Sequence, residues 1–123
     1  GVIDQVYVES KESENILVCL DSNHTHDHVL SELQAYAPLT GKNSYCIVFD
    51  GIAEDLPKDF VYDRPWGVGD NPKTAIWEYL ESLANNQEVA SDGSPLHFKI
   101  DKELEAKLQI TVAPDGYLQR TAL

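Results

Sequence analysis

Ile16-Leu17-Val18-Cys19-Leu20-Asp21 and Ser44-Tyr45-Cys46-Ile47-Val48-Phe49-Asp50 decide the fold. Each is an apolar run that stops at an aspartate. Such runs, without polar alternation, read as strands buried on both faces, the habit of parallel sheets. Between them, Val29, Leu30, Leu33 and Ala37 share one helical stripe, with Ser31, Glu32 and Gln34 off it. Pro38 and Gly41 close that helix. Strand, helix and strand in this order predict a parallel α/β unit.

Outward from this unit, Val2, Ile3, Val6 and Tyr7 have helix-like spacing and read as the tail of a helix. Residues 51–71 form a long irregular stretch holding Pro57, Pro65, Gly67 and Gly69, and a loop of that length in a small domain is usually functional. Asn71-Pro72 starts a helix, with Asn as cap and Pro in the first turn. Ile76, Leu80 and Leu83 are its buried stripe. Residues 85–96 are turn-rich and read as a surface insertion. After Phe98-Lys99-Ile100 come a short helical turn over 102–108 and an expected strand over Gln109–Val112. Pro114-Asp115-Gly116 is a turn, and Tyr117-Leu118 resumes an extended pattern. The 123 residues make a single domain without internal repeats. No conventional first strand with a glycine turn is present, so the chain reads as half of a larger sheet.

Composition narrows the function classes. Hydrophobic residues are 42% and charged residues 24%, which excludes a disordered or collagen-like chain. No apolar run approaches the ~20 residues of a membrane helix. Nine basic against twenty-one acidic residues give a net charge of −12, which argues against nucleic acid and anionic membranes as partners. The chain has no Met and opens at Gly1, so it is expected to be a processed or cut piece. Residues 1–15 carry no apolar leader core, and a cytoplasmic location is expected. Cys19 and Cys46 sit in the two apolar runs and are expected to be buried free thiols.

Three constellations could carry chemistry. Asp21 and Asp50 each end a strand, and ligand sites in open α/β sheets lie beyond the carboxyl ends of strands. If the strands are neighbours, their ends lie roughly 5 Å apart. Carboxylates that close repel unless a proton or cation sits between them, and Mg²⁺ is the natural filler. The plainer reading is that each Asp caps the turn that follows. The second constellation is Asp21-Ser22-Asn23-His24-Thr25-His26-Asp27-His28. Its alternating histidines resemble a zinc-hydrolase run that is one residue short. Most of them are expected on an exposed first helical turn. His24, three residues after Asp21, is placed to act as a general base near an activated hydroxyl. The third is Gly67-Val68-Gly69 with Arg64 and Trp66 in the same loop. A lone GxG that follows no strand is a weak phosphate signal. Arg64 could pair with an anionic group and Trp66 could stack on a ligand ring; otherwise Trp66 packs the loop onto the sheet.

These residues carry a family resemblance. The runs 20–30 and 32–39, the strand 44–50, Asp63-Arg64-Pro65-Trp66-Gly67, Asn71-Pro72-Lys73-Thr74-Ala75 and the run 110–118 resemble the cephalosporin hydroxylase / rhamnosyl O-methyltransferase family. The resemblance covers most of the chain outside 85–96. It implies the C-terminal half of a Rossmann-like methyltransferase sheet, mostly parallel with an antiparallel closing strand. It implies S-adenosylmethionine as cofactor, Mg²⁺ at the site, and a sugar or other small hydroxylated acceptor. Asp21 matches the family's first acidic ligand and Asp50 the second member of its acidic pair. The first member falls on Phe49, which cannot ligate, so Glu54 is the expected substitute. His24 matches the family's base. The glycine-rich cofactor loop would belong to the other half, so this piece alone is expected to be inactive. The alternatives are a non-catalytic remnant or assembly module and, behind it, a zinc hydrolase. An exposed half-sheet is also expected to self-associate.

Overall fold

The computed structural model describes residues 1–122. The chain opens with α1 (Val2–Ser10), then β1 (Val18–Leu20), α2 (His26–Tyr36) and a 3-10 turn at Ala37–Leu39. β2 (Tyr45–Val48) leads into a second 3-10 turn at Gly51–Asp55 and then α3 (Pro72–Asn85). β3 (His97–Ile100), α4 (Lys102–Leu108) and β4 (Tyr117–Thr121) complete it.

The four strands form one sheet in the order β1-β2-β4-β3. β1 lies parallel to β2, with Val18 opposite Cys46 and Leu20 opposite Val48. β4 runs antiparallel to both β2 and β3. So β1, β2 and β3 point one way and β4 alone runs against them, which is the mixed α/β sheet expected from the sequence. β4 can enter beside β2 because of Gly116. Its carbonyl accepts from Val48 N–H at 2.9 Å, and a Cβ there would meet the Val48 carbonyl oxygen at 2.1 Å.

Helices α2 and α3 cover one face of the sheet. Val29 and Leu33 of α2 and Ala75, Ile76 and Tyr79 of α3 meet Val18, Leu20, Cys46, Val48 and Leu118 in one core. The predicted stripes hold in part: Val29, Leu33, Ala37 and Ile76 are buried, Leu30, Leu80 and Leu83 are only partly buried against the core, and Ala75 and Tyr79 are buried beside Ile76. α3 starts as expected: the Asn71 side chain accepts from Lys73 and Thr74 N–H, and Pro72 occupies the first turn.

Three expectations need correction. Gln109–Val112 is not a strand. Gln109 ends α4 at φ 63°, and Ile110 is 91% exposed. The apolar alternation there is real, but it faces solvent. Cys19 is exposed while Cys46 is buried, because Cys46 lies opposite Val18 on the face that α2 and α3 cover, whereas Cys19 points to the other face of the sheet. The segment 85–96 does not simply lie on the surface. Ala90 and Leu96 are buried, and Asp92 is paired with the buried Arg120 of β4, with Nη1 to Oδ2 at 2.7 Å and Nη2 to Oδ1 at 3.1 Å.

Candidate metal and active site

Parallel pairing brings the carboxyl ends of β1 and β2 side by side. The pairing continues one step past the strands, where Phe49 N–H donates to the Leu20 carbonyl at 3.1 Å. Asp21 and Asp50 therefore emerge together. Asp50 turns the chain sharply, with φ 62° and ψ 21°, a left-handed conformation that Asp tolerates better than most residues. That turn starts the 3-10 segment Gly51–Asp55 directly after the site.

The loop between β1 and α2 places His24 beside both carboxylates. Asn23 Oδ1 accepts from Thr25 N–H at 2.8 Å and from its hydroxyl at 2.7 Å, which folds the loop into a tight turn around His24. His24 Nε2 lies 2.9 Å from Asp50 Oδ2 and 3.8 Å from Asp21 Oδ1. One donor atom from each of Asp21, His24 and Asp50 falls within 4.8 Å of the others. Two ligands of one ion, each at about 2.1 Å, stand roughly 3 to 4.2 Å apart. Spacing of this order makes the three groups a candidate site for a divalent cation.

The long loop reaches this cluster through Trp66. Trp66 presents its ring edge-on to His24, with centroids 4.6 Å apart and planes at 90°. Arg64 lies over Trp66, its guanidinium carbon 5.6 Å from the ring centroid. Five of the six residues singled out from the sequence, Asp21, His24, Asp50, Trp66 and Arg64, thus form one connected group. Glu54 is the exception. Its Oε1 accepts from Gly69 N–H at 2.7 Å and from Asn71 Nδ2 at 2.9 Å, so it braces the loop, and the third donor beside the two aspartates is His24. Sequence reasoning missed the other braces. Asn71 also holds the Gly67 carbonyl, and Asp70 Oδ1 accepts from His26 N–H at 2.7 Å. The signal for Asn71 was present, but its role as a helix cap accounted for it completely.

The remaining histidines go elsewhere. His26 is half-buried between α2 and α3, where it contacts Thr74 Oγ1 and Glu78. His28 meets Ser22 and Glu32. The three histidines do not converge, and the one metal-capable group among the described residues contains only His24.

The sequence profile of the rhamnosyl O-methyltransferase/CmcI family matches residues 1–121. This chain belongs to that family. Rhamnosyl O-methyltransferases of Mycobacterium tuberculosis strain H37Rv and of Mycobacterium bovis strain BCG / Pasteur 1173P2 are each 32% identical to it over 105 residues, 85% of this chain. The chain spans 36% of the length of those relatives. No solved structure gives a significant match. As a member of the rhamnosyl O-methyltransferase/CmcI family, the chain is an O-methyltransferase-like domain, and its Asp21–His24–Asp50 cluster lies at the carboxyl ends of adjacent parallel strands, where α/β folds place their ligands.

Proposed function

We propose that this chain carries the acceptor-activating side of an S-adenosylmethionine-dependent O-methyltransferase. The observation that carries the reading is the convergence of Asp21, His24 and Asp50 at the paired strand ends of a family member. The acceptor is a hydroxyl of a sugar or similar small molecule. A rhamnosyl group is the first candidate, because the relatives are named for it.

Asp21 and Asp50 are the residues that would hold Mg²⁺. When bound, that ion supplies positive charge that lowers the pKa of the acceptor hydroxyl. Its charge also suits two carboxylates brought this close. His24 receives the proton at Nε2. The Asp50 carboxylate 2.9 Å from that atom can only accept, so His24 takes the proton in the tautomer that carries its hydrogen on Nδ1, with the Asp50 contact released. Trp66 packs against the imidazole at right angles and holds its plane, and Arg64 lies over Trp66. Orientation of this kind supplies a large part of a transfer rate. Gly67-Val68-Gly69 follows a loop instead of a strand, so it is not the strand-to-helix glycine turn of a cofactor cradle.

The test is transfer of labelled methyl from S-adenosylmethionine to rhamnosyl acceptors by the full-length protein. His24→Ala is expected to lower the rate by about 10²-fold or more, the usual worth of a general base. A variant as fast as the parent would remove His24 from the chemistry. Phe49 favours a second reading. It leaves one acidic position of the family pattern without a donor, as a non-catalytic remnant or assembly module would. A full-length protein that binds neither cofactor nor divalent cation would favour that reading.

A further inference from the structure

We propose that Asp21, His24 and Asp50 form a selective site for imidazole-seeking divalent ions such as Zn²⁺, with His24 as a direct ligand, and that Zn²⁺ and Mg²⁺ use these residues in opposed ways. The inference rests on the metal-assisted reading above.

Phe49 offers no donor atom, so the third group beside the two carboxylates is an imidazole nitrogen. The His24 Nε2 distance of 3.8 Å to Asp21 falls inside the span expected for ligands of one ion, and the 2.9 Å to Asp50 lies at its short end. The ring is already aimed. Trp66 stands edge-on against it, and the Asn23–Thr25 turn fixes its backbone. Its neighbours do not compete for the site, since His26 is engaged by Thr74 and Glu78, and His28 by Ser22 and Glu32.

Ligand chemistry then separates the ions. Carboxylate and water suit Mg²⁺, whereas imidazole raises affinity for Zn²⁺, Fe²⁺, Co²⁺ and Ni²⁺. With Mg²⁺ the two aspartates ligate and His24 stays free to take a proton. With Zn²⁺ the same Nε2 becomes a ligand and cannot accept one. One cluster would therefore support proton transfer with one ion and block it with the other. The selectivity follows from a position where a carboxylate is missing.

The test needs no turnover. Zn²⁺ alone and Mg²⁺ alone are titrated into the full-length protein by calorimetry, and Co²⁺ alone is followed by its visible absorption. His24→Ala and His24→Gln are compared with the parent, and far-UV circular dichroism identifies any variant that fails to fold. His26→Ala reports on the neighbouring histidine. The expected result is one Zn²⁺ per chain, bound at least ten-fold more weakly by both His24 variants. Their Mg²⁺ affinity stays within about two-fold of the parent's, and His26→Ala retains parental Zn²⁺ affinity. Zn²⁺ affinity that is equal in parent and His24 variants overturns the proposal, even where Mg²⁺ binding stands. Loss of Zn²⁺ in His26→Ala also overturns it. A parent that binds neither ion removes this proposal together with the metal-assisted reading. Should one His24 variant fail to fold, the other decides, and should both fail, the imidazole NMR signals of the parent decide, since Zn²⁺ is expected to shift those of His24 and unshifted His24 signals overturn the proposal.

Discussion

His24 and Arg120 are the two side chains whose placement says most about this molecule, and the sequence exposed only one of them. His24 could be read because it stands three residues after a strand-ending aspartate. Arg120 could not, because its partner Asp92 lies 28 residues away in a segment that looks like surface. Arg120 is only 2% exposed, and it also donates to the Thr40 carbonyl at 2.8 Å and to Ser94 Oγ at 2.5 Å. Removing one member of such a pair leaves a buried charge unmatched. Asp92 itself keeps some solvent contact, which moderates the cost. Asp92→Asn is expected to cost about 2 kcal/mol of stability by denaturant titration at pH 7. A loss within about 0.5 kcal/mol would mean that solvent replaces the pair. The pH dependence has a definite sign. Hydrogen bonds from the Arg120 guanidinium, aided by Ser94, hold the Asp92 carboxyl well below the usual carboxylate range despite its partial burial. A carboxylate depressed in this way contributes fully above its unfolded pKa of about 4 and loses that contribution as pH falls below it. Stability measured from pH 6 down to pH 3 should therefore fall more steeply in the parent than in Asp92→Asn.

At the level of elements, the strands and helices were legible wherever burial and apolar pattern agree. The runs ending at Asp21 and Asp50 became neighbouring parallel strands, and Asn71-Pro72 capped a real helix. Pattern failed where apolar residues face water. Ile110 and Val112 alternate as a strand would, yet both are exposed, and the chain turns at Gln109 instead. Cys19 failed for a related reason. A continuous apolar run looks the same whether both faces are covered or one, and which neighbours a strand has is a tertiary property. In the site, the aspartates and His24 were readable from spacing, whereas the Glu54 brace depends on a loop closure that no local pattern encodes. The two thiols give a direct check of strand facing. Burial pushes the Cys46 thiol up to about 12, and the side chain is inaccessible. Native protein is expected to label rapidly with one equivalent of maleimide, at Cys19, and with two after unfolding. Two fast equivalents in the native state would place Cys46 on an open face.

As a whole, the molecule is a four-stranded sheet with helices α2 and α3 packed on one face. Among the described residues β1 has a strand partner on one side only. Leu17 beside it is exposed, as are Val2 and Val8 of α1. An open strand edge with exposed apolar side chains elsewhere on the surface invites association. The isolated chain is expected to self-associate at micromolar concentration in sedimentation velocity, and a clean monomer would show that the edge is protected. No helix of the described residues is long and apolar enough to cross a membrane. The site lies at the carboxyl ends of β1 and β2, and the metal-assisted reading depends on Asp21 and Asp50 acting together there. The most direct measurement is Mg²⁺ binding by the parent, Asp21→Asn and Asp50→Asn, followed calorimetrically in the full-length protein. Both substitutions keep side-chain shape, and Asn tolerates the left-handed conformation at position 50 as Asp does. One Mg²⁺ per chain in the parent, with affinity lowered at least ten-fold in each variant, is expected. Equal binding by all three proteins would contradict the assignment of this cluster as the metal centre.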